Sequence, residues 1–94
     1  MKRLRWDPEK NRKLLEERAV SFEHIVIAIE NGQLLAEFVH PNQVKYSGQR
    51  ILAVNLNEYV YLVPFVEDEQ GYFLKTVIPS RKATRDFLAK KEFI

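Results

Sequence analysis

Ile51-Leu52-Ala53-Val54-Asn55-Leu56-Asn57-Glu58-Tyr59-Val60-Tyr61-Leu62-Val63-Pro64-Phe65-Val66 is the stretch that decides the fold of this chain. Two runs rich in β-branched and aromatic residues, Ile51–Leu56 and Tyr59–Val66, flank Asn57-Glu58, a pattern of two strands joined by a tight turn. Pro64 has no N–H to give to a ladder, so the second run is expected at a sheet edge or with a bulge. Tyr59 and Tyr61 share one face of it, where they either pack under helices or stack a base.

Toward the C-terminus, Glu67–Gly71 reads as an acidic turn, Tyr72–Ile78 as another strand, and Ser80 to about Lys91 as a closing helix. Glu67, Asp68 and Glu69 are solubilising charge on this reading, with a bound divalent ion as the alternative. Toward the N-terminus, Pro41–Gln49 holds Pro, Asn, Ser and Gly and reads as a loop, and Leu34–His40 as a strand. Asn31-Gly32 stops a helix that starts at Ser21, with Val20 and Ile25 at the positions of a hydrophobic staple. Asp7-Pro8 starts an earlier helix running to about Arg18, whose apolar face holds little beyond Leu14 and Leu15. The order ααββββα predicts an α+β domain: two N-terminal helices, a four-stranded antiparallel sheet with the helices on one face, and a C-terminal helix.

Ninety-four residues make one domain, 1–94, with a single core. The absence of cysteine excludes a disulfide framework and a thiolate metal site, and fits a reducing cytoplasm. No apolar run reaches the ~20 residues a membrane helix needs, so no membrane partner is expected. The net charge of +2 divides unevenly. Residues 1–20 carry seven Lys or Arg against four acids, residues 21–71 two against seven, and residues 72–94 six against two. Both ends are basic and the middle is acidic. Brought together, the ends would make a face attractive to nucleic acid; kept apart, they are solvated charge.

The closing segment Pro79-Ser80-Arg81-Lys82-Ala83-Thr84-Arg85 puts cations at a helix N-terminus, where the dipole already disfavours them. Ser80 is a good N-cap. A place that gathers free N–H groups and guanidinium groups favours phosphate or carboxylate; the alternative is that the long stems swing into water. Lys75, between Phe73 and Val77, points either to the sheet rim or into a cleft. His40, Lys45, Tyr46 and Arg50 lie in or beside the longest loop. That loop joins an acid–base candidate to residues suited to phosphate or base contact.

RNA is cleaved without metal when its 2′-OH loses a proton and attacks the adjacent phosphorus while cations hold the phosphoryl oxygens. His40, Arg50 and Arg81 are the candidates for that chemistry, and Lys82, Arg85, Lys75 and Lys45 for binding RNA phosphate. His40 is alternatively a strand-end residue bonded to its own loop. The two histidines, His24 and His40, have no metal-site spacing, so neither metal nor cofactor is expected.

Trp6-Asp7-Pro8-Glu9-Lys10, followed by Val20-Ser21-Phe22-Glu23, resembles the opening of the BrnT family of bacterial toxins, and Ser80-Arg81-Lys82-Ala83-Thr84-Arg85 resembles that family's closing motif. Ala19 departs from it, standing where the family usually has glycine. The resemblance implies a RelE-like fold and a ribonuclease toxin of a type II toxin–antitoxin system. It also implies a cognate DNA-binding antitoxin that occludes the toxin, and a complex that reaches operator DNA only through that antitoxin. The other class of function open to this sequence is a binding module: a degenerate toxin or adaptor that grips nucleic acid or an acidic segment without turnover.

Overall fold

The computed structural model describes residues 2–88. Nine elements follow in order: β1 (Leu4–Trp6), α1 (Pro8–Arg18), α2 (Phe22–Glu30), β2 (Leu34–Val39), β3 (Arg50–Leu56), β4 (Tyr59–Asp68), β5 (Gly71–Leu74), β6 (Ile78–Pro79) and α3 (Arg81–Leu88). The expected continuation of the closing helix to Lys91 lies outside the described residues. The class is α+β, as the sequence predicts, but the sheet has six strands and is mixed. Its order is β1-β5-β4-β3-β2, with β6 also on β4. β1 runs parallel to β5, with Leu4 opposite Tyr72 and Trp6 opposite Leu74.

The hairpin Arg50–Asp68 is the centre of the sheet. Asn57 and Glu58 both adopt left-handed backbone (φ 57° and 65°), the geometry a two-residue hairpin turn requires. β4 is an interior strand, so the edge position expected at Pro64 is overturned; the bulge alternative is met on the neighbouring strand, whose register against β4 slips by one residue between Leu74–Phe65 and Ile78–Leu62. Ile51 and Pro64 are register partners, and the Pro64 carbonyl accepts the Lys75 N–H at 2.8 Å. The nitrogen and oxygen of Pro64 therefore both point away from β3, and the missing N–H costs that pairing nothing. It falls instead where the neighbouring strand is interrupted. The expected strand Tyr72–Ile78 is accordingly two strands, with residues 75–77 unpaired between β5 and β6.

The helices lie on both faces, not one. Leu52, Val54, Val63 and Phe65 meet Leu14, Val20, Phe22, Ile25 and Ala28 in the main core under α1 and α2. On the other face, Ala83 and Phe87 of α3 share a groove with Leu62 and Phe38. The reason can be read in β3: Ile51, Leu52, Ala53 and Val54 are all buried, and a strand apolar on both faces needs a cover on both.

The opening residues build a tightly bonded corner. The Asp7 carboxylate accepts the Glu9 N–H at 3.1 Å and Pro8 occupies the first turn. Ala19 ends α1 in left-handed backbone (φ 56°), a conformation that favours glycine. Ser21 and His24 then cap α2 reciprocally: the Ser21 hydroxyl accepts the His24 N–H, and His24 Nδ1 accepts the Ser21 N–H. Asn11 completes the joint, accepting the Phe22 N–H and donating to Glu23, each at 2.7 Å. Trp6 stacks on Phe22 with ring centroids 5.4 Å apart. The opening motif thus serves a strand–helix–helix corner.

Candidate active site

Arg50 stands at the start of β3 on the face shared with Leu52, beyond the cover of α2. Its guanidinium pairs with Glu37 at 2.7 Å, lies 3.9 Å from Glu67 and sits over the Phe65 ring. The Tyr72 hydroxyl donates to the same Glu37 oxygen at 3.3 Å, its ring stacked on Phe65 with centroids 4.3 Å apart. Burial, and then the neighbouring Glu37 and Glu67 carboxylates, push the Tyr72 phenol above its ordinary value, so it keeps its proton at neutral pH. Lys2 pairs with the other oxygen of Glu67. Arg50 Nε is buried and has no hydrogen-bond partner among the described residues. Beside this cluster, Leu4, Trp6, Val26 and Ile29 line a groove of about 400 Å³ with Lys2 and Glu30 at its rim.

Arg81 is elsewhere. Ser80 caps α3, its hydroxyl accepting the Ala83 N–H at 3.0 Å. Thr84 ties the helix to the sheet: its hydroxyl donates to the Ser80 carbonyl at 2.7 Å and accepts the Val60 N–H at 2.8 Å. The Ser80 N–H in turn bonds the Val60 carbonyl. Arg50 is opposite Phe65, so along β4 the two arginines are anchored five residues apart, about 17 Å at 3.3–3.4 Å per residue. They also belong to opposite sides of the sheet. Arg50 and Arg81 cannot grip one phosphate.

Asp86, to which the sequence reading assigned no part, takes up charge from the closing motif. Lys82 bonds it at 2.9 Å and Arg85 lies 3.6 Å away, and the Lys82 hydrogen bond is the main reason its carboxyl is held below the usual range. Arg81 has no ion pair among the described residues and is exposed.

His40 is the loop-bonded residue of the two alternatives. Its Nδ1 accepts the Asn42 N–H at 3.0 Å, its backbone joins Gln49, and its ring stacks on Tyr46, over which Lys45 also sits. Lys75, exposed and just past the end of β5, lines a shallow groove with Trp6, Pro8, Lys10 and Phe73. Tyr61 packs against the main core, with Tyr59 edge-to-face on it, as the packing alternative required. The acidic turn is structural as well as solubilising. Glu67 meets Lys2 and Arg50, and Asp68 meets Arg5 at 2.6 Å. Among the described residues, no group of three or more His, Cys, Asp or Glu is placed to hold a metal ion.

Sequence reasoning missed Glu37, Glu67, Tyr72 and Lys2, the residues that surround Arg50. One signal was available: Glu37 is the single charge in the otherwise apolar run Leu34–Val39. The others come from β4, β5 and the residue pair leading into β1, and only the sheet register brings them together.

Comparison of the chain with protein-family models, curated proteins and solved structures gave no match.

Proposed function

We propose that this chain is a metal-independent endoribonuclease toxin of a type II toxin–antitoxin system, RelE-like in fold and similar to BrnT, that cleaves mRNA and is neutralised by a cognate DNA-binding antitoxin. The observation that carries the reading is the hydrogen-bonded Glu37–Tyr72 pair set against the Arg50 guanidinium. Glu37 takes the proton from a 2′-OH. The freed oxygen attacks phosphorus, the bond to the 5′-oxygen breaks, and Tyr72 protonates that leaving oxygen. Glu37 then returns its proton to Tyr72 along their hydrogen bond, so the pair is restored and the products are a 2′,3′-cyclic phosphate and a 5′-hydroxyl. The Arg50 guanidinium, set beside the pair, holds the charge that develops on the phosphoryl oxygens.

The test is cleavage of single-stranded RNA by the purified chain in excess chelator. Fragments ending in cyclic phosphate, lost in Glu37→Gln while the fold is kept, support the reading. Cleavage that survives both Glu37→Gln and Arg50→Ala removes this cluster from the chemistry. One observation favours the second reading, a non-catalytic binding module: Arg50 already has carboxylate partners in Glu37 and Glu67. Oligonucleotide binding without cleavage, and without growth arrest on induced expression, decides for that module.

A further inference from the structure

At the corner where β1 passes into α1, Trp6 and Pro8 face Phe73 and Leu74 across a groove of about 590 Å³. Lys10 from α1 and Lys75 from the end of β5 line the same groove. Neither lysine has an ion-pair partner among the described residues, whereas Lys2, Arg5, Arg50 and Lys82 each face a carboxylate. Lys75 Nζ lies 5.7 Å from the centroid of the Phe73 ring, and Arg5 lies 5.5 Å from that centroid with its charge already met by Asp68. Asp7 is the one acid on the groove, and one of its oxygens is occupied by the Glu9 N–H of the helix cap.

Two unpaired ammonium groups on an aromatic wall fit a ligand that carries an anion beside a flat ring. Lysine suits phosphate as a mobile point charge, and a base has a face to lay against an aromatic side chain. We propose that this groove is a nucleotide subsite for single-stranded RNA, with a backbone phosphate between Lys10 and Lys75 and a base against Phe73 and Pro8. The subsite deepens the ribonuclease reading and rests on it for the choice of RNA. It lies apart from the cleavage cluster: Leu74 is two strands from Arg50 in the register Leu74–Phe65–Arg50, about 10 Å at 4.7–4.9 Å per strand. Phe73 turns to the face opposite Leu74 and Arg50, so a strand cleaved at Arg50 would be held here by a nucleotide further along the chain and not by the next one. The groove therefore governs binding of RNA, not the chemical step.

The probe is a short fluorescent 2′-O-methyl oligouridine, which has no free 2′-OH and so is not cleaved, titrated into the full chain at several salt concentrations. The double variant Lys10→Ala/Lys75→Ala should bind at least about tenfold more weakly at low salt. Its dependence of log K on log salt should flatten by about 0.7, the contribution of the one single-strand phosphate that the two lysines share. Phe73→Leu should weaken binding severalfold with the salt slope unchanged, because it removes stacking and no charge. Lys13→Ala, an exposed lysine of α1 outside the groove, should leave both quantities as they are. Wild-type affinity and slope in the double variant overturn the subsite, whatever the cleavage assay shows. Binding that depends on both lysines, in a chain that cleaves no RNA, upholds the subsite and removes the nuclease reading alone.

Discussion

Arg50 and Arg81, two guanidinium groups expected to hold the same phosphate, stand in opposite circumstances. Arg50 is built into the sheet, flanked by Glu37 and Glu67 and laid over Phe65. Arg81 is exposed at the start of a helix with no fully buried residue, free of ion pairs among the described residues. The first is positioned but partly neutralised; the second keeps its charge and lacks support. Transition-state stabilisation depends on groups already aimed at where charge develops, whereas attraction at a distance depends on net charge. Under the proposed function, the difference gives chemistry to the Arg50 region and capture of a polyanion, or of an acidic partner segment, to the closing helix.

The largest expected effect breaks or upholds that division directly. Arg50→Ala should slow single-turnover cleavage more than a hundredfold, about 3 kcal/mol in the barrier, and Arg50→Lys should recover only part, since lysine cannot hold two oxygens at once. Arg81→Ala should change the rate by less than tenfold and act on RNA affinity, more at low salt than at high. If the two variants exchange these phenotypes, the closing helix carries the chemistry.

A second variant acts on the support of Arg50 and not on that of Arg81. A Cβ at Gly71 would lie 2.4 Å from the Arg3 carbonyl oxygen, and Gly71 has a φ of 122° that side chains avoid. Gly71→Ala should push β1 off β5, displacing Lys2 and Arg5 from Glu67 and Asp68 and costing roughly 1–3 kcal/mol in denaturant unfolding. Cleavage should fall with it, while the binding that depends on Arg81 persists. Retention of full stability would mean that β1 is not part of what holds the site.

Thr84→Val is the matching change at the other arginine. It leaves the Val60 N–H without the partner it has at 2.8 Å and should cost about 1–2 kcal/mol by urea unfolding. Cleavage per folded molecule should stay at the parent level, because α3 lies across the sheet from Arg50. A loss of cleavage would couple the two regions.

The smallest effect is in acid. The Asp68 carboxyl is held below its ordinary value first by the Gln70 N–H and then by Arg5, and the Asp86 carboxyl first by its hydrogen bond from Lys82. A depressed carboxylate adds stability above its unfolded value of about 3.9, and loses that contribution as pH falls through the lower folded value. The stability gaps between the parent and Asp68→Asn or Asp86→Asn should therefore be widest near neutral pH and close below about pH 4. Added salt should shrink the Asp86 gap more, since the N–H that holds Asp68 carries no net charge to screen. Equal salt sensitivity would show that ion pairing dominates at both ends.

The same physics separates what was legible in the chain from what was not. The strands on either side of Asn57-Glu58, the caps Asp7 and Ser21, the staple Val20–Ile25 and the cap Ser80 could all be read, because each depends on residues within a few positions of one another. β1 could not be read: three residues hold no period, and Leu4–Trp6 is a strand only because β5 offers it a parallel edge. The left-handed backbone of Ala19 could not be read either, since alanine gives no sign of a conformation that favours glycine.

By itself, then, the sequence determined the α+β class, the hairpin at the centre of the sheet, the helix starts and the cationic character of the closing segment. All of these are set by local periodicity and by residue types that permit or forbid a backbone conformation. Only the tertiary structure decided that α3 lies across the sheet from α1 and α2, that Pro64 splits β5 from β6, that Arg50 meets Glu37, Glu67 and Tyr72, and that Arg81 does not join them. Those outcomes depend on which strands pair and in what register. A shift of one residue in that register would turn every side chain of a strand to the other face, and no stretch of this chain specifies its register alone.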